Sequence, residues 1–135
     1  TRREAMAALL STRATAARTG GLGGDALAYQ REATAIREAL YPPDDPRLGV
    51  GYANLSAALS ARGLRRDALR YAEELRQGVK NLTVLHRGKP LDPCTISLGV
   101  AVYPDNATDT VSLLKAADTA MYQAKNQGRD RVAQA

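Results

Sequence analysis

A nine-residue motif occurs twice in this chain, 42 residues apart. Gly21-Leu22-Gly23-Gly24-Asp25-Ala26-Leu27-Ala28-Tyr29 returns as Gly63-Leu64-Arg65-Arg66-Asp67-Ala68-Leu69-Arg70-Tyr71, with Gly, Leu, Asp, Ala, Leu and Tyr in register. A period of this length marks helical hairpins that bury their apolar faces on one another. Each copy reads as the turn and second-helix start of one hairpin. Glycine closes a helix, aspartate favours the next N-terminus, and alanine lets helices approach closely. Apolar spacing then predicts four helices, over about residues 3–18, 25–40, 47–61 and 65–78. Their inward residues would be Ala5, Leu9 and Leu10, then Leu27, Ile36 and Leu40, then Val50, Leu55, Ala58 and Leu59. Tyr41-Pro42-Pro43-Asp44-Asp45-Pro46 breaks the second helix from the third, with Asp45 as N-cap and Pro46 in the first turn. Tyr29 and Tyr71 are repeat-equivalent and are expected to pack within the hairpins.

At Leu82 the period changes. Leu82–His86 reads as a short strand, residues 87–93 as a turn-rich connection, and Thr95–Tyr103 as a β-branched, apolar strand stopped by Pro104-Asp105-Asn106. The two strands are expected to pair as a hairpin. Asp109 or Thr110 then caps a helix with Val111, Leu114, Ala117, Met121 and Ala124 at helical spacing. Gly128 ends it, and Arg131-Val132-Ala133 suits a short final strand.

Composition narrows the function. A chain of 135 residues, 44% hydrophobic, suits one ordinary domain or two half-sized units, and is too short for two complete enzyme domains. No apolar run approaches the roughly 20 residues that span a bilayer, so no membrane partner is expected. With six Tyr and neither Phe nor Trp, the core must come from Leu, Val, Ile and Ala. The net charge of +5 is shared between both halves, and no basic cluster is interleaved with aromatics, so a nucleic-acid partner is not expected either. Cys94 is the one cysteine and excludes a disulfide framework, and a small buried side chain is the plain reading for it. His86, the one histidine, reads as a solvated turn residue, and a lone His and Cys assemble no metal site. Thr1-Arg2-Arg3-Glu4 leads into an amphipathic Ala-rich stretch rather than a signal peptide, which makes the reducing cytoplasm the expected location. With Thr1 in first place, a processed chain or a piece of a longer one is expected.

Three segments carry a family resemblance: Thr95-Ile96-Ser97-Leu98-Gly99-Val100-Ala101, then Leu113–Lys125 with its Ala117-Asp118-Thr119-Ala120-Met121-Tyr122-Gln123-Ala124-Lys125 run, then Gly128-Arg129-Asp130-Arg131-Val132. In this order and spacing, over about residues 66–135, they resemble the C-terminal part of the diguanylate cyclase (GGDEF) domain. Residues 3–76 resemble tetratricopeptide repeats of the kinesin-light-chain kind, through Leu55, Gly63, Ala68 and the Pro-Asp-Asp-Pro loop. The expected fold is α+β: tetratricopeptide-like antiparallel hairpins over residues 1–64, then a truncated GGDEF β-β-α-β unit over 65–135. The helix at 65–78 belongs to both patterns and forms the junction. A sheet without its first strands would leave an unpaired edge beside Thr95–Tyr103, with the third and fourth helices on one face.

In the intact family, two GTP molecules are joined into cyclic di-GMP with Mg2+, each active site contributing half of a dimer. The resemblance implies that Lys125 and Arg129 contact phosphate, one as a point charge and one as a bidentate fork. Any cation there is also favoured by the negative end of a helix dipole, by about 0.3–1 kcal/mol. The part of the family that carries the metal-binding carboxylates, the guanine contacts and the signature turn has no counterpart here. Gly23-Gly24-Asp25 is followed by Ala26-Leu27 where Glu-Phe is required, and the 42-residue repeat explains it as well. Asp130 stands where the family usually has Asn, and a carboxylate beside Arg129 is expected to weaken its pull on phosphate. Asp118 resembles a structural helix aspartate, a solvated carboxylate being the plain alternative.

No catalytic residue and no metal ligand follow, only the phosphate contacts Lys125 and Arg129. The expected partners are GTP, a protein or peptide at the helical repeats, and a second copy of the chain. The reading is a fragment or degenerate member of the diguanylate cyclase family that does not cyclise GTP as given. The alternative is a tetratricopeptide-type interaction module with the GGDEF remnant as a dimer-forming cap. A decayed or mis-joined gene product is the third.

Overall fold

The computed structural model describes residues 1–19 and 23–135. Gly21 and Leu22, which open the first repeat copy, lie outside them. Four helices come first: α1 Arg2–Thr19, α2 Gly23–Leu40, α3 Arg47–Ala61 and α4 Arg65–Lys80. Consecutive helices pack on one another, α1 with α2, α2 with α3, and α3 with α4. Gly23-Gly24-Asp25 form the first turn of α2, not a turn between strands.

Small residues set the helix faces. α1 buries Ala7, Leu10, Ala14 and Ala17, while Leu9 and Ala5 are exposed, so the expected face is turned part-way round. Val50 of α3 is likewise exposed, and Leu48, Leu55, Ala58 and Leu59 are inside. Alanine lies on nearly every side of these helices. Spacing of the larger apolar residues alone therefore does not select the face that a neighbour approaches. Tyr29 packs against Ala14, Ala17 and Ala26, and Tyr71 joins the main core beside Tyr52, ring centres 5.7 Å apart.

The breaks follow local chemistry. Before α3 the cap falls one residue later than expected: Pro46, at φ −62°, is the N-cap and Arg47 the first helical residue, while the Asp45 carboxylate accepts the Arg47 amide at 2.9 Å. Between α3 and α4 the chain turns at Gly63, φ +74°, where a Cβ would press on the Tyr103 carbonyl oxygen at 2.9 Å. Across that turn the Ser56 hydroxyl donates to the Ala68 carbonyl at 2.7 Å.

The strand half departs from expectation in its pairing. Leu85–His86 (β1) pairs antiparallel with Lys89–Pro90 (β2), not with the later apolar strand. Arg87 and Gly88 form the two-residue loop, at φ +51° and +76°, the positive-φ pair that matches strand twist in tight hairpins. The apolar strand is Ser97–Val100 (β3), shorter than the 95–103 expected, and it pairs parallel with Arg131–Gln134 (β4) in the register Ser97↔Arg131 to Val100↔Gln134. A parallel pair needs a crossover, and α5, Thr110–Asn126, supplies it. β3 leaves the ladder because the Val102 amide donates to the Asn106 side chain (2.8 Å) and the Tyr103 amide to the Ser60 carbonyl (3.0 Å).

α5 begins as expected, with the Asp109 carboxylate accepting the Ser112 amide at 2.9 Å. Its buried residues are Ala120 and Ala124; of the apolar face expected, Ala124 is buried and Ala117 and Met121 are half-buried, while Val111 and Leu114 are exposed. The helix comes closest to the strand at Gly99, where a Cβ would collide with the Ala117 carbonyl and the Met121 amide. α5 crosses β3 so closely that only small residues fit between them. On the other side Val100 and Val102 enter one core with Leu27, Leu55, Leu59, Ala68 and Ala72, so α3 and α4 cover the sheet as expected. Cys94 is exposed rather than buried, and so is His86. The mixed helical and strand content fits the α+β class. No helix of the described residues is long and apolar enough to cross a membrane.

Candidate phosphate-binding site

The site forms where α5 stops. Lys125 lies in the last turn, and the chain then runs through three left-handed residues, Gly128 (φ +114°), Arg129 (φ +64°) and Asp130 (φ +43°). Two positive-φ residues other than glycine in succession are uncommon and need support from their surroundings. Part of it is backbone: the Gly128 amide donates to the Lys125 carbonyl (3.4 Å) and the Arg129 amide to the Ala124 carbonyl (3.0 Å), satisfying last-turn acceptors. Arg131 Nε donates back to the Arg129 carbonyl at 3.0 Å.

The rest comes from α4. Asp130 Oδ1 accepts Arg76 Nη1 at 2.6 Å, and Asp130 Oδ2 accepts Lys80 Nζ at 2.7 Å. Arg76 is only 11% exposed and also grips Glu73 through Nε at 2.9 Å. Hydrogen bonds from Lys80 and Arg76 hold the Asp130 carboxyl below its ordinary range, and the Arg76 bond does the same for Glu73. Glu73, and then Asp130, push the Arg76 guanidinium upward.

This arrangement changes the expectation for Asp130. Both its oxygens are taken by α4, so the carboxylate is neutralised by Arg76 and Lys80 instead of drawing on Arg129. Lys125 and Arg129 are both exposed, and neither side chain has an ion-pair partner among the described residues. Both Lys125 and Arg129 are therefore brought to one end of α5 and left free to meet an anion. Sequence reasoning missed Arg76 and Lys80. Their signal was their spacing of four, which puts two cations on one helix face.

Magnesium does not fit these residues. Among those described, no three of His, Cys, Asp and Glu stand close enough to hold a metal ion, and the carboxylate nearest Arg129 in sequence is occupied by two cations. The residues of the site offer two exposed cations at one helix end. They offer no general base and no metal-bearing carboxylate pair.

The family model described as diguanylate cyclase, GGDEF domain, matches residues 55–131. The chain belongs to the GGDEF domain family. The match takes in the second half of α3, then α4, β1, β2, β3 and α5, and reaches the first residue of β4. Diguanylate cyclase A of Treponema denticola is 35% identical over 65 residues, covering 48% of this chain and 17% of its own length. Response regulator PleD of Caulobacter vibrioides is 43% identical over 68 residues, covering 49% of this chain and 15% of its own. Protein YhcK of Bacillus subtilis is 39% identical over 89 residues, 65% of this chain and 24% of its own. The chain thus spans a quarter or less of the length of these relatives. No solved structure matches it.

Proposed function

We propose that this member of the GGDEF family binds the phosphates of GTP through Lys125 and Arg129 and does not itself join GTP into cyclic di-GMP. The observation that carries the reading is the Gly128-Arg129-Asp130 turn: α4 neutralises Asp130 and leaves Arg129 exposed beside the end of α5. Lys125 supplies a point charge and Arg129 a planar fork, the two complementary ways to hold phosphate oxygens. Cyclisation needs more. A 3′-hydroxyl must be deprotonated and charge on the reacting phosphate neutralised, work done in phosphoryl transfer mainly by metal ions and positioned bases. Neither is supported among the described residues.

Calorimetric titration with GTP and with guanosine tests the binding half. GTP is expected to bind and guanosine not to, with Lys125→Ala and Arg129→Ala each weakening GTP by about tenfold, the equivalent of roughly 1.4 kcal/mol. Equal binding of guanosine, or unaffected variants, would contradict the assignment.

A second reading has an observation of its own. The packing of α1 on α2 and of α3 on α4 supports tetratricopeptide-like hairpins over residues 1–64, with the GGDEF portion from 65 as cap and α4 as the shared junction. On this reading the helical half docks a peptide.

A further inference from the structure

A cleft of about 360 Å3 lies between the α2–α3 loop and the two helices α3 and α4. That is the size of an ordinary small-ligand or peptide side-chain site. Its walls are apolar, built from Leu48, Leu75, Val79 and the half-buried ring of Tyr52. Gly49 keeps it open, since a Cβ there would already stand 3.1 Å from Leu75 Cδ1. Its polar lining has one sign. Asp44, Asp45 and Glu74 border it and no Lys or Arg does, although the chain carries a net charge of +5. Arg47 bridges Asp45, but Asp44 and Glu74 are exposed and have no ion-pair or hydrogen-bond partner among the described residues. The C-terminal turn of α4, Gln77 to Val79, forms another side, so the negative end of that helix dipole adds to the same potential.

We propose that this cleft is a binding site for a short peptide carrying a bulky apolar side chain next to a lysine or arginine. The apolar side chain enters between Leu48, Leu75 and Val79, where its burial supplies the affinity. The cation stays at the mouth between Asp44 and Glu74, where charge complementarity selects the partner and speeds encounter. The inference rests on the peptide-docking reading for the class of ligand and on the cleft for its place and chemistry.

The test is a two-dimensional NMR titration of the whole chain with acetyl-Arg-Leu-Leu-Arg-amide, and in parallel with acetyl-Glu-Leu-Leu-Glu-amide. The basic peptide is expected to give saturable shifts at amides 44–52 and 74–82, and the acidic one none at equal concentration. The double variant Asp44→Asn with Glu74→Gln changes two exposed side chains and is expected to keep its spectrum and lose about tenfold in affinity. Equal shifts with both peptides, or no effect of the double variant, would overturn the charge assignment. Saturable shifts on α1 and α2 instead would overturn the cleft while leaving peptide docking standing. No saturation anywhere at millimolar peptide would overturn both.

Discussion

Arg76 Nη1 stands 2.6 Å from Asp130 Oδ1, joining residues 54 positions apart. The pair ties the middle of α4 to the left-handed turn after α5, and Lys80 closes the second carboxylate oxygen at 2.7 Å. A carboxylate that sequence alone set against Arg129 is thereby committed elsewhere. Arg129 is left without an ion-pair partner among the described residues, because α4 supplies the two cations that hold Asp130.

This network has a pH signature. The Asp130 carboxyl is held below its ordinary value of about 3.9, first by Lys80 and then by Arg76. Its contribution to stability is therefore complete above that ordinary value and is lost as pH falls through the lower, folded one. Thermal unfolding of the native chain and of Asp130→Asn should differ by a constant margin near neutrality and converge in strong acid. A margin that grows on acidification would contradict the pairing.

Screening separates exposed contacts from buried ones. Lys125 and Arg129 lie in solvent, so their attraction for GTP should fall steeply as salt shortens the Debye length from about 30 Å at 0.01 M to about 3 Å at 1 M. Binding that ignored salt would place the nucleotide on other groups.

The core makes a sharper demand on single side chains. Leu59 is 1% exposed at the centre of the cluster that joins α3, α4 and β3, so Leu59→Ala should cost about 2–5 kcal/mol in urea unfolding. Val111→Ala, on the open side of α5, should stay within about 0.5 kcal/mol. A reversed order would mean that α5 packs by its other face.

Gly99 tests the crossing of α5 over β3. A methyl group there meets the backbone of Ala117 and Met121, which cannot swing aside as a side chain does. Gly99→Ala should therefore destabilise by about 1–3 kcal/mol. A neutral outcome would mean that the helix rides further from the strand.

Much of this arrangement was legible in the residues themselves, and what escaped did so for physical reasons. The helices, the proline break before α3, the Asp109 cap and the stop at Gly128 follow from local chemistry, which acts over a few positions. Strand pairing does not. Leu85 meets Pro90 because Arg87 and Gly88 accept positive φ, and β3 meets β4 because a helix lies between them. The expected face of α5 packs at Ala117, Met121 and Ala124, where the helix backbone meets Gly99, but its first turns, with Val111 and Leu114, stay exposed. Lys125 and Arg129 were singled out through the motif around them, and the structure places both, exposed, at the end of α5. The spacing of Arg76 and Lys80 puts two cations on one helix face, but the carboxylate they hold is 54 residues from Arg76, and no local pattern names it.

Incubation of the purified chain with GTP and Mg2+, read for cyclic di-GMP by mass spectrometry, tests the central claim most directly. The expected result is no product above the background of the double variant Lys125→Ala with Arg129→Ala, in a sample whose amide spectrum confirms the fold. Cyclic di-GMP that forms with the native chain and disappears in that variant would contradict it, and would mean that residues 1–135 assemble a working cyclase site.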